Sequence, residues 1–101
     1  MLHMVVLTHG PETCAAAHAD AGEMARSANG QMEAVATKLG ASVQSWWIDP
    51  PGHVFYMVVD APNAHVVNSL MVELKFFLWN TIDIHPMITA DEAMPLAAGS
   101  S

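Results

Sequence analysis

Residues 41–60 read ASVQSWWIDPPGHVFYMVVD, and this stretch decides the fold. One β-rich run ends at Asp49, and a second run of the same kind covers residues 53–59. Two prolines cannot continue a sheet ladder, and the glycine that follows them tolerates a positive φ. The segment Pro50-Pro51-Gly52 therefore predicts the turn of a β-hairpin.

The elements on either side of this hairpin predict the order β-α-β-β-α-β. Residues 2–8 are β-rich and stop at a Gly-Pro pair. Residues 11–39 carry apolar side chains at three- and four-residue steps, which predicts one long helix with a weak point at residues 27–30. Asp60-Ala61-Pro62-Asn63 then starts a second helix of about four turns, and residues 81–88 alternate as a last strand. We assign residues 1–90 to a single domain and residues 91–101 to a C-terminal tail.

Neither face of the predicted sheet is polar. In the first strand Met4 and Val6 oppose Val5 and Leu7, and the third strand is apolar on both faces as well. Antiparallel sheets usually leave one face to water and alternate cleanly between polar and apolar residues. Two helices can cover one face only. A second copy of the chain, burying about 800 Å² per partner, is the expected cover of the other face.

Composition and charge exclude several classes of protein. The chain has 101 residues, is 52% hydrophobic and carries 3 basic against 10 acidic side chains, for a net charge of -7. That much apolar surface excludes disorder, and three scattered cations exclude a basic face for nucleic acid or an anionic membrane. No apolar run approaches the ~18 residues that span a bilayer. A single cysteine and the lack of signal-peptide features predict a cytoplasmic protein.

The element order, the length and the doubly apolar sheet resemble the ferredoxin-like dimeric α/β-barrel superfamily, which includes muconolactone-isomerase-like and antibiotic-biosynthesis-monooxygenase-like proteins. The segments that carry the resemblance are Pro50-Pro51-Gly52, Asp60-Ala61-Pro62-Asn63 and Asp83-Ile84-His85-Pro86. The resemblance implies an α+β fold with a four-stranded antiparallel sheet, two helices on one face and a homodimer through the other. It also implies a pocket for a small-molecule ligand. No catalytic motif of one enzyme family can be transferred.

Six histidines are the most unusual feature of the composition. With the ferredoxin-like strand order 4-1-3-2, the candidate metal ligands His9, Cys14, His18 and His53 converge at one end of the sheet. In one continuous helix, Cys14 and His18 at i and i+4 would share a face. Imidazole and thiolate bind Zn, Cu, Fe or Ni, so a transition metal or haem is the expected cofactor. The alternative for Cys14 is a small core residue. The remaining histidines fall toward the opposite end: His3, His65 and His85.

Metal-free acid–base chemistry is a second interpretation of the same cluster. An imidazole exchanges a proton near neutral pH, which makes His9 and His53 candidate catalytic residues with Asp83 as an orienting group. Trp47 and Phe55 are the aromatic candidates for binding a ligand or cofactor. The leading hypothesis is a dimeric pocket protein, with metal- or haem-assisted oxidoreductase or isomerase-like activity. A non-catalytic ligand- or metal-binding module, or a structural dimer domain without a site, are the alternatives, and the substrate is left open.

Overall fold

The computed structural model describes residues 1–99, which form a four-stranded antiparallel sheet with two long helices on one face. The strands are β1 (Leu2–Thr8), β2 (Ser42–Asp49), β3 (Val54–Asp60) and β4 (Thr81–Met87). The helices are α1 (Ala19–Lys38), α2 (Ala64–Glu73) and the short α3 (Ala90–Ala93), with 3-10 turns at Pro11–Thr13, Phe76–Leu78 and Met94–Leu96. The strand order is β2-β3-β1-β4. This confirms the ferredoxin-like α+β fold and the predicted order of strands.

The core lies between α1, α2 and one face of the two central strands. In the ladder between β1 and β3, His3 pairs with Val59, and every second side chain of each strand points toward the helices. Val5 and Leu7 of β1, with Met57 of β3, are fully buried against the helices. None of the helices described is long and apolar enough to cross a membrane.

The first helix is shorter at its start than the sequence predicts. Residues 11–18 form a 3-10 turn and a loop, and α1 begins at Ala19 with His18 at its N-cap in an extended conformation. Gly22 lets this loop approach the first turn of the helix, because a Cβ there would stand 2.9 Å from the carbonyl oxygen of Ala15. The predicted weak point at residues 27–30 is wrong, since α1 continues through it to Lys38.

Two further local predictions need correction. The second helix ends at Glu73, because Lys75 adopts a left-handed conformation with φ 64° and lets Leu74 and Phe76 both enter the core. In the hairpin the positive φ falls on His53 (56°), whereas Gly52 keeps a negative φ and donates its N–H to Asp49 Oδ1 at 3.1 Å. The predicted tail, residues 91–101, begins within α3 and continues into a 3-10 turn. Its last two residues, 100 and 101, lie outside the described residues.

The second face of the sheet, here called the open face, carries only half-buried or exposed side chains among residues 1–99. It is apolar over its centre, where Trp47 pairs with Tyr56 and Val58 pairs with Met4. Trp47 is 68% exposed. The apolar side chains of the open face are Leu2, Met4, Val6, Trp47, Val54, Tyr56, Val58 and Met87.

Two neighbouring phenylalanines test the assignment of the core. Phe76 is 0% exposed and Phe77 is 50% exposed. We expect Phe76→Ala to lower the free energy of unfolding by about 3–5 kcal/mol, because it removes a fully buried ring and leaves a cavity. Phe77→Ala, the matched control, should change it by less than about 1 kcal/mol. Chemical denaturation measures both, and equal losses would contradict this packing.

Candidate functional site

Two histidines and the single cysteine meet at one end of the sheet. His9 follows β1, His53 precedes β3, and Cys14 lies in the loop before α1. One ligand atom from each, an imidazole nitrogen or the Sγ, lies within 4.8 Å of the other two. Donor atoms around a tetrahedral zinc are roughly 3.3–3.6 Å apart, given metal–ligand bonds of about 2.0–2.3 Å. Small side-chain rotations would therefore let all three atoms bind one ion.

The two histidines are held by the pairing of the central strands. Thr8 pairs with Val54, so the residues just beyond this pair are neighbours across the ladder. The backbone N–H of His9 donates to the carbonyl of His53 at 3.1 Å, and the two imidazole rings have centroids 5.5 Å apart. His53 has a left-handed backbone, which a residue other than glycine adopts at a cost of order 1–3 kcal/mol. Such conformations occur most often at functional sites.

The loop before α1 brings the cysteine to this pair. After the 3-10 turn Cys14 is extended, and its carbonyl accepts from the N–H groups of Ala17 and His18 at 3.0 and 2.9 Å. The Nε2–H of His18 donates to the carbonyl of Pro11 at 3.0 Å and closes the loop. Cys14 is half-buried and its thiol is free. A half-buried thiol remains accessible to an ion from solvent.

Asn80 sets the orientation and the tautomer of the His9 ring. Its side-chain NH₂ donates to the carbonyl of Phe76 at 3.2 Å, which turns its Oδ1 toward His9. The Nδ1 of His9 lies 3.0 Å from that oxygen. Because a carbonyl oxygen only accepts, His9 carries its proton on Nδ1 and leaves the Nε2 lone pair free. Metal-binding histidines in proteins are held by the same kind of hydrogen bond.

Aromatic side chains form the inner wall of the site. The His9 ring packs against Phe55 and Trp79, with centroids 5.3 and 5.2 Å away. Both aromatic residues are buried. Two buried nitrogen atoms beside this wall, His53 Nδ1 and Trp79 Nε1, have no hydrogen-bond partner among the residues described. The inner side of the site is thus apolar, and these two nitrogen atoms make no hydrogen bond within the described residues.

The structure separates some of the predicted site residues from this cluster. His18 is exposed and bonded to Pro11, because α1 starts after it and no shared helical face with Cys14 exists. Asp83 pairs with Val6 and lies on the open face, on the other side of the sheet from the His9 ring. Trp47 also lies on the open face, whereas Phe55 is in the core, so the two do not line one pocket.

The other three histidines lie away from the site, as the strand order predicts. His3 is fully buried, with its Nδ1 3.4 Å from the carbonyl oxygen of Val59. His85 pairs with Met4 on the open face, and His65 is on α2.

Fold and site together define a ferredoxin-like α+β domain with a His/Cys cluster at one end of its sheet. The family described as Domain of unknown function (DUF3303) matches residues 1–101, and the chain belongs to this family. A solved structure entitled "Crystal structure analysis of SCO4226 from Streptomyces coelicolor A3(2)" is similar, with a TM-score of 0.61 and 17% sequence identity. The match covers 87% of this chain and 98% of that one, and it shows a common fold. No curated protein matches the sequence.

The sequence interpretation missed Asn80 as part of the site. The signal for Asn80 was present, because Thr8 pairs with Thr81 in the antiparallel β1–β4 ladder and the next residues outward are His9 and Asn80. Trp79 belongs to the aromatic side chains that the sequence offers as a pocket lining, and its contact with His9 depends on how the 3-10 turn Phe76–Leu78 is packed.

The tautomer of His9 can be tested in the metal-free protein. We expect nitrogen-15 NMR to show the proton of His9 on Nδ1, and Asn80→Ala to shift the ring toward a mixture of both tautomers, because the side-chain acceptor that the described residues provide for Nδ1 is removed. Asn80→Asp keeps an acceptor and should preserve the Nδ1–H form. Asn68→Ala, an exposed change on α2, is the control. An Nε2–H tautomer in the unmodified protein would contradict the assigned hydrogen bond.

Proposed function

We propose that His9, Cys14 and His53 bind one transition-metal ion and that the protein is a metal-binding domain with an open coordination position. The observation that carries the proposal is that ligand atoms from three separate segments lie within 4.8 Å of one another. Local sequence cannot bring such atoms together, because His9 and His53 are 44 positions apart in the chain. The net charge of -7 also favours a cation.

The donor set indicates which ions fit. Two imidazoles and one thiolate suit zinc and copper, and nickel is a further candidate, because these ions prefer nitrogen and sulfur over oxygen ligands. A haem iron takes one or two axial protein ligands, so three clustered donors favour a single ion over haem. Three protein ligands leave a fourth position for water or substrate, which is typical of catalytic rather than structural zinc sites. The oxidoreductase or isomerase-like activity expected from the sequence would use that position.

The chemical state of the cysteine fits this function. A metal ligand must be a thiolate, and a disulfide or an oxidised sulfur would remove it from the site. Cys14 has no disulfide partner in the chain. A reducing compartment keeps such a thiol free, which supports the cytoplasmic location expected from the sequence.

Metal binding to variants tests the proposal. We expect the unmodified protein to bind one equivalent of Co²⁺ or Zn²⁺, with a thiolate-to-cobalt charge-transfer band. Cys14→Ser should abolish the band and weaken Zn²⁺ affinity by more than about 100-fold, which exceeds the usual loss when a residue hydrogen-bonded to a metal ligand is removed. Lowering the pH should release the ion, because protons compete for all three ligands. His65→Ala, a change of an exposed residue on α2, is the control and should bind as the unmodified protein does.

His53→Gly separates a role in metal binding from a role in folding. Glycine adopts a φ of 56° without strain, so this variant removes the imidazole and relaxes the turn. We expect metal affinity to be lost while the free energy of unfolding without metal stays the same or rises by up to about 1 kcal/mol. Absence of metal binding in the unmodified protein would contradict the proposed function. A His53→Gly protein that binds metal normally would exclude His53 as a ligand.

We also propose that the open face is covered by a second copy of the chain. The apolar side chains at its centre support this, because a monomer would leave them to water. The resemblance to dimeric α/β-barrel proteins points the same way, and a small-molecule ligand would then be enclosed between or beside the two sheets.

A charge placed on the open face tests the dimer. Val58 is half-buried on β3 and is flanked by Met4 and Ser45, which offer no carboxylate. We expect Val58→Lys to weaken dimerisation by about 100-fold or more, because the ammonium would be buried without a partner. Val72→Lys, on the exposed surface of α2, should have no effect. Analytical ultracentrifugation measures both, and a monomeric unmodified protein at micromolar concentration would contradict the dimer.

A further inference from the structure

Three side chains at the His/Cys end of the sheet follow one another in a row: Cys14, His9 and Asn80. The Sγ of Cys14 and one imidazole nitrogen of His9 lie within 4.8 Å of each other. The Nδ1–H of the same ring donates to Asn80 Oδ1 at 3.0 Å, and the Asn80 amide donates in turn to the carbonyl of Phe76 at 3.2 Å. A thiol, an imidazole and an orienting amide in this order are the parts that nucleophilic catalysis uses.

The hydrogen bond to Asn80 prepares His9 to accept a proton from the thiol. Because Nδ1 carries the proton, the lone pair of the ring is on Nε2. A separation of up to 4.8 Å is longer than a hydrogen bond, but catalytic contacts of this kind are often long in the free protein and shorten when substrate binds. An amide oxygen is sufficient to orient the imidazole, as in the Cys-His-Asn sites of cysteine proteases.

The surroundings of the thiol leave room for a ligand that brings an acceptor oxygen. Cys14 is half-buried and free, so Sγ is accessible from solvent. Trp79 is 6% exposed and packs on the His9 ring, with centroids 5.2 Å apart. Its Nε1–H has no acceptor among the described residues, whereas buried donors in proteins are nearly always paired. The carbonyl oxygen of a ligand bound beside His9 is a suitable acceptor.

The charge of the chain and the wall of the site narrow the class of substrate. The net charge of -7 repels polyanionic acyl carriers such as nucleotide thioesters. Phe55 and Trp79, which form the inner wall, are both buried and apolar in character. A neutral ester with a small apolar acyl group fits these two conditions.

We propose that metal-free Cys14 is a nucleophile, that His9 is its general base, and that the protein transfers the acyl group of a small neutral ester to water. His9 Nε2 takes the thiol proton while Sγ attacks the carbonyl carbon and forms a C–S bond. The bond to the leaving oxygen breaks, and that oxygen takes the proton from His9. Water then gives a proton to His9 and attacks the thioester, which releases the acid, and the proton returns from His9 to Sγ.

In this reaction Asn80 is a positioning residue, because it holds the His9 ring for both proton transfers. The inference goes beyond the proposed metal site, since it uses the same sulfur atom without an ion.

Acylation of the metal-free protein tests the proposal. Protein treated with EDTA and mixed with para-nitrophenyl acetate should release one equivalent of para-nitrophenolate in a burst, followed by slower turnover. Mass spectrometry of the quenched protein should find the acetyl group on Cys14. Cys14→Ala should lose the burst, and His9→Ala should slow acylation by about 100-fold or more, as expected when a general base is removed. His65→Ala, the control, should react at the unmodified rate.

Further measurements separate the loss of the base from a loss of folding. His9→Gln keeps a polar side chain but cannot take the thiol proton, so it should react as slowly as His9→Ala. Asn80→Ala should slow acylation by about 10-fold or more, and Asn80→Asp should restore most of the rate because it keeps the acceptor for Nδ1. The unmodified chain unfolded in urea gives the reference rate for an unassisted thiol.

The outcomes for this inference and for the metal site are independent. A folded protein that is acetylated no faster than the unfolded chain, or a His9→Gln protein as fast as the unmodified one, would overturn the proposed nucleophile even if metal binds. A protein that is acetylated as expected but binds neither Co²⁺ nor Zn²⁺ would support the nucleophile and contradict only the metal site.

Discussion

The pairing of β1 with β3 is the constraint on which the rest of the structure depends. Its antiparallel register buries Val5, Leu7 and Met57 on one face and leaves the other face apolar and open. The same ladder ends in the hydrogen bond from His9 to the carbonyl of His53. A slip of one residue would exchange the two faces of a strand. The core, the candidate metal site and the apolar open face would all be lost together.

The site combines a rigid part with an adaptable part. His9 and His53 are fixed at the ends of central strands, and Asn80 adds a hydrogen bond that orients one of the two rings. Cys14 comes from a loop that is closed by a side-chain hydrogen bond between His18 and Pro11. An ion that needs three ligands at close range would therefore find two already placed, and the ordering of the third would occur mainly in this loop.

Several features at the His/Cys end of the sheet lower the stability of the folded chain. His53 has the backbone conformation of a glycine, and two buried nitrogen atoms lack hydrogen bonds within the described residues. Strain and unpaired polar atoms of this kind lower stability. A third unpaired buried nitrogen among the described residues, Nε2 of His3, lies at the other end of the sheet, so such atoms are not confined to the cluster.

The amino-acid sequence by itself determined the strands, the hairpin, the apolar character of both sheet faces and the end of the sheet where His9 and His53 meet. The alternation of apolar residues and the turn residues determine the strands and the hairpin locally. The strand order then determines the end of the sheet at which His9 and His53 meet. The sequence also predicted Cys14 at this end, whereas the structure alone decided that His18 stays out of the cluster, that Asn80 holds His9, and that Trp47 and Phe55 lie on opposite faces. These outcomes depend on where α1 begins and how the loops pack. At these places several local conformations have similar free energies, and long-range contacts determine which of them is adopted.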